Sequence, residues 1–138
     1  MRQANLFNVD LRSTRLAGAN LQQALCNELT QFPADISPVT VGAIVIAPGI
    51  SLRGADLAQV SLAGADLRGA NLTEINLRGS DLWGADLSDA SLVRANLTGA
   101  NLWGAQLTNA DLTDAIVLDA NLTGAELSGT NLAEESID

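Results

Sequence analysis

The chemically capable side chains of this chain are carboxylates, guanidiniums, amides and a single thiol. Histidine is absent, and Cys26 is the one cysteine in 138 residues. Without His there is no His-based triad, no imidazole general base and no ordinary zinc site. Cys26 would be a nucleophile only beside a group that lowers its pKa. Asp66 and Asp86, 20 residues apart, form a possible carboxylate pair. Two carboxyls held about 5 Å apart are the equipment of a retaining glycosidase. No P-loop, GxGxxG, CxxC or GxSxG motif is present.

These side chains are positioned by a repeat. From Leu52 an aliphatic residue recurs every five residues, through Leu57, Leu62 and on to Leu132 and Ile137, with Val117 the one β-branched member before the last. Two residues earlier comes a small residue, usually Ala. One residue earlier comes Asp or Asn most often, and Gly is frequent two residues later. The unit is A-[D/N]-L-x-[G/x]. A period of five fits neither a helix, which needs about 3.6, nor a strand, which needs 2. It fits a solenoid of short sides with a turn at each unit, where Gly tolerates positive φ. The same grammar runs through Ala4-Asn5-Leu6 to Ala19-Asn20-Leu21, and places Cys26 at the centre of a degenerate fifth unit. Cys26 then reads as a small core residue.

On these residues the chain resembles the pentapeptide-repeat family, over residues 4–26 and 50–137. The resemblance implies an all-β fold: a right-handed quadrilateral parallel β-helix of about 20 residues per coil. The central Leu and the preceding Ala would face inward. It implies a bacterial, cyanobacterial-type protein, and members commonly dimerise through the C-terminal coil. One domain is expected over 1–138, with a non-repeat insertion at 27–49 that contains all three Pro. Ser37-Pro38 suits a helix start and Val39-Thr40-Val41 suits a strand, so both stay open. Phe32, Ile36, Val41, Ile44 and Ile46 are expected to fold back as a cover. Gln31 and Pro33 would lie at a tip available for recognition.

In such a solenoid Asp66 and Asp86 would stand on neighbouring coils, about 5 Å apart. The place before the central Leu interchanges Asp with Asn and Ser from unit to unit, which acid–base chemistry does not allow. Capping of turn backbone explains it better. The chain therefore reads as no enzyme, with no cofactor and no metal.

Function then falls to the outward positions. Trp83 and Trp103 should stack, and two readings stand: a ladder that stabilises the coil, or anchors for a partner. Ile116 and Leu118 replace expected polar residues and make an apolar spot suited to a dimer contact. The net charge is −9, and residues 95–138 hold seven acids and no base. Asp111, Asp114, Asp119, Glu126, Glu134 and Glu135 are the candidate acidic surface. Such a balance disfavours direct nucleic-acid binding, and no run is long enough to cross a membrane. With no leader before Ala4, the cytoplasm is the expected compartment. The function expected is a structural or protein-interaction scaffold of unknown partner. The alternative rests on the resemblance: some members mimic B-form DNA and bind DNA gyrase, a type II topoisomerase.

Overall fold

The computed structural model describes residues 4–132. Two compact units divide the chain, 1–47 and 48–138, and each is built on its own interior.

The second unit is a parallel β-helical solenoid. Its rungs meet through single-residue bridges, from Ser51 with Asn71 to Gln106 with Glu126, and every bridge joins residues 20 apart. The sides are short because each five-residue unit spends most of its length turning. In one unit the Ala55 N–H donates to the Leu52 carbonyl at 3.0 Å, closing a four-residue turn. The third residue of that turn, Gly54, has φ +67°. Between rungs, the Leu57 N–H donates to the Asn76 carbonyl at 2.8 Å and the Asn76 N–H donates to Ala55 at 2.9 Å. Backbone groups that a short side leaves unpaired within the rung are thus satisfied by the next one.

The interior follows from the same period. Leu57 to Leu112 are buried at every fifth position, and so are most Ala two residues before them. The five-residue spacing brings each Leu inward, and the 20-residue rung stacks it on its counterparts, such as Leu67, Leu87 and Leu107. Ser80 stands in an Ala place and is buried; its hydroxyl donates to the Leu77 carbonyl at 2.7 Å, so the polar atom is paired.

The Asp/Asn column caps turns. The side-chain oxygens of Asn71, Asp81, Asp86, Asn96, Asn101 and Asn121 each accept the N–H two residues on. This local bond explains the residue type. Rungs also bond through the column: Asn101 Nδ2 donates to Asp81 Oδ1 at 2.9 Å, and Asn76 Nδ2 to Asp56 Oδ1 at 2.8 Å. An amide over a carboxylate attracts, whereas two stacked carboxylates repel.

The first unit holds the irregular stretch, and here the structure corrects the expectation of a loop with a free tip. Asn5 pairs with Leu25, and Asp10 pairs with Gln31. Strand β1 (Leu25–Cys26) pairs in parallel with β2 (Ile44–Val45). The rung spacings are therefore 20, 21 and 19 residues, so the backbone keeps winding while its register slips. Gln31 is not at a tip: its carbonyl accepts the Leu11 N–H at 2.7 Å. Of the two readings left open for the middle of the stretch, the helix start holds and the strand at Val39–Val41 does not; a strand forms only further on, at Ile44–Val45. Pro38 starts a 3-10 turn at Val39–Val41, ended by Gly42 at φ +78°, and the strand follows it at Ile44. Phe32, Ile36, Val41 and Val45 pack against Leu6, Leu11, Leu16 and Leu21, and Ile46 is buried.

Cys26 lies in this interior, buried, and its Sγ sits 3.5 Å from the Ile44 carbonyl. Burial pushes its thiol above the ordinary range. The native chain should leave a thiol-reactive disulfide reagent unconsumed over an hour and take up one equivalent after denaturation. Rapid reaction of the native chain would contradict a buried core thiol.

Candidate interaction surface

Trp83 and Trp103 each follow a central Leu, at the second place of a turn, and lie one 20-residue rung apart. Their backbone is fixed by the ladder: the Gly64 N–H donates to the Trp83 carbonyl at 2.8 Å, and the Gly84 N–H to the Trp103 carbonyl at 3.0 Å. Their own N–H groups are held by Asp81 and Asn101. The indoles therefore stack, with ring centroids 5.9 Å apart and planes within 4°. Half of each remains in solvent, 51% of Trp83 and 46% of Trp103. Above and below in the column stand Ala63 and Thr123, too small to cover the outer ring faces.

Ile116 and Leu118 lie on both sides of the buried Val117 and are 52% and 63% exposed. Their column partners, Asn96 and Thr98, are polar. No turn or ladder bond requires an apolar side chain at either place, since the backbone alone makes the bonds from Ile116 N–H to Ala95 and from Gly99 N–H to Leu118.

Asp111, Asp114, Asp119 and Glu126 are all exposed, but they stand in four different columns. Asp114 stacks in a column with Glu74 and Arg94, and Asp119 with Gly79 and Gly99. Asp111 accepts hydrogen bonds from Thr113 and Asn131, which hold its carboxyl below the ordinary range. Glu126 is lowered in the same way by the Ser128 hydroxyl and N–H. A DNA-like array needs continuous rows of charge, and in the described part of the second unit only Asp66 and Asp86 put acids on successive rungs of one column. Glu134 and Glu135 lie outside the described residues.

Asp66 and Asp86 do meet as bridge partners. Arg68 sits with both, 2.6 Å from Asp66 and 3.8 Å from Asp86. Its guanidinium holds the Asp66 carboxyl below its ordinary value. A general acid needs a raised pKa, so the direction at Asp66 does not suit that residue to the role. Among the described residues no group of three or more metal-ligating side chains comes together.

Sequence reasoning found the Trp stack and the apolar spot. It missed Arg68 as the partner of the paired carboxylates. The signal was available, because Arg68 follows Asp66 by two, as Arg12 follows Asp10, which it also grips at 2.7 Å.

Comparison with known proteins places this surface in context. The chain matches the family profile "Pentapeptide repeats (8 copies)" over residues 1–25, 49–84, 75–114 and 104–134. It is similar to the crystal structure of a pentapeptide repeat protein, Rfr23, from the cyanobacterium Cyanothece 51142. Identity is 27%, over 94% of this chain and 85% of that one, with a TM-score of 0.56. It is also similar to alr5209, a pentapeptide repeat protein from Nostoc Pcc 7120, at 41% identity over 59% of this chain and 60% of that one, with a TM-score of 0.42. No curated protein matches the sequence.

Proposed function

The chain belongs to the pentapeptide-repeat family and folds as its right-handed β-helix; from that premise we propose that it is a non-enzymatic scaffold whose outer surface binds a partner protein. The 20-residue rungs support four short sides to a coil, which present side chains in straight columns at fixed spacing. A surface of this kind recognises by arrangement, without a pocket.

The observation that carries the reading is the exposed Trp stack. A solenoid of Thr, Ser, Asn and Gly does not need two half-exposed indoles to hold its rungs. Backbone bonds join the rungs on every side of the coil, those that carry no aromatic residue included. Trp is the commonest anchor of protein interfaces, because it buries a large rigid area at little entropic cost. Ile116 and Leu118 add a second apolar spot, and a second copy of the chain is the partner we propose for it.

Affinity capture from the source cells tests this with wild-type bait and the Trp83→Ala/Trp103→Ala variant. Proteins recovered on the wild type should be lost on the variant, while circular dichroism shows the same fold. Equal recovery on both baits would assign the Trp pair to the coil.

A further inference from the structure

The Trp column has a neighbour that no other part of the second unit repeats. The third residue of each turn carries positive φ, and on other faces Gln59, Glu74, Asp89, Arg94 and Asn109 hold it between 56° and 61°. The backbone thus admits side chains at this place. Beside the Trp column, however, the place is glycine on every rung: Gly64, Gly84, Gly104 and Gly124. A Cβ built on Gly64, Gly84 or Gly104 would meet nothing within 4 Å. Crowding does not demand glycine there. The outcome is a strip of bare backbone running alongside the indoles.

Two residues further along each rung is the column of Asp66, Asp86, Gln106 and Glu126. Arg68 sits beside Asp66 and Asp86, 2.6 and 3.8 Å away, and so offsets charge at that end of the column. After Arg94 the chain has no Lys or Arg. On the other side of the indoles Asp81 caps the Trp83 N–H. Trp103 has one ring face on Trp83, and its other face looks along the column toward Thr123, on the rung that carries Glu126. An exposed aromatic face, bare backbone and the Glu126 carboxylate therefore stand on neighbouring rungs of the same stretch of surface.

We infer that this face seats an extended, arginine-bearing segment of a partner protein, with a guanidinium stacked on the Trp103 indole and paired to Glu126. Indole faces attract cations through the ring quadrupole. A guanidinium is planar and stacks while its N–H fork binds a carboxylate; a lysine ammonium offers only a point charge. Glycine lets the partner's backbone approach closely. The inference rests on the reading of the Trp face as a binding surface and names the chemistry of the partner.

The test uses the full chain and three labelled peptides of equal length that alternate Gly with Arg, Lys or Glu, with binding read by fluorescence anisotropy. The Arg peptide should bind saturably, roughly tenfold tighter than the Lys peptide, and the Glu peptide should not bind. Gly84→Asn/Gly104→Asn fills the strip with a side chain that Asn109 shows to be at home at this φ. It should weaken the Arg peptide at least about tenfold without changing the melting temperature by more than a few degrees, and Glu126→Gln should weaken it by less. Arg and Lys peptides of equal affinity, no binding of the Arg peptide, or full binding to the Asn variant would each overturn the inference. Loss of captured partners on the Trp variant without Arg-peptide binding would leave the scaffold reading standing and remove only this one.

Discussion

Leu87→Ala is expected to cost about 3 kcal/mol of folding stability, in a range of roughly 2–5 kcal/mol. Leu87 is 0% exposed, and its column neighbours Leu67 and Leu107 are equally enclosed. Removing three carbons forfeits their transfer from water and leaves a cavity. The rungs above and below cannot collapse into it, because they are pinned on both sides by backbone bonds such as Leu87 N–H to Gln106 at 2.7 Å and Leu67 N–H to Asp86 at 2.8 Å. Leu127 occupies the same column but is only half-buried. Leu127→Ala should therefore cost about 1 kcal/mol. Urea denaturation of the two variants measures the difference. Equal losses at both positions would mean that the ladder is not a packed column.

Adding volume should destabilise as well. Ala90→Leu is expected to cost about 2 kcal/mol, in a range of about 1–3 kcal/mol. Ala70, Ala90 and Ala110 stack in one column, each 1% exposed, with rungs about 4.8 Å apart. A Leu at the middle rung must displace a central Leu from its rotamer or push the neighbouring rungs apart. The place is not closed to larger side chains in every column: Ile75 is buried between Ala55 and Ala95, and Val60 below Ser80. The effect should therefore be larger at Ala90, where both stacked neighbours are matched in size, than for Ala95→Val next to Ile75. A variant at Ala90 as stable as the wild type would show that the small column is a habit of the sequence and not a requirement of packing.

The repeat made most of the fold legible. A five-residue row of Leu has one physical explanation, and the burial of Leu57 to Leu112 follows it without exception. The capping role of Asp and Asn was legible for a similar reason, because a short side chain beside a turn bonds its own backbone whatever lies elsewhere. The stacked Trp pair was legible from its 20-residue spacing once the family resemblance implied about 20 residues per coil. The stretch after Cys26 was not, because it keeps the winding while it loses the pattern. Pairing of Gln31 with Asp10 and of Ile44 with Leu25 depends on backbone bonds, which carry no residue signature. One residue gained before Gln31 and two dropped after it leave every side chain out of phase, so a periodic reading finds only a break. The Arg68 contact was hidden differently. It needs Asp66 and Asp86 to be stacked before one guanidinium can serve both. The glycine strip shows only when the rungs are laid over one another, since glycine is common at turns on every face.

Trp83 and Trp103 are the only Trp residues and the chain has no Tyr, so its intrinsic fluorescence reports this one surface. The direct measurement is the Trp emission maximum and its quenching by acrylamide, before and after saturation with a captured partner that itself lacks Trp. Binding through the stack should shift the emission to the blue and lower the quenching constant by roughly half or more, as two half-exposed indoles leave water. Emission and quenching that stay unchanged at saturation would contradict the account, because the partner would then be bound elsewhere on the solenoid.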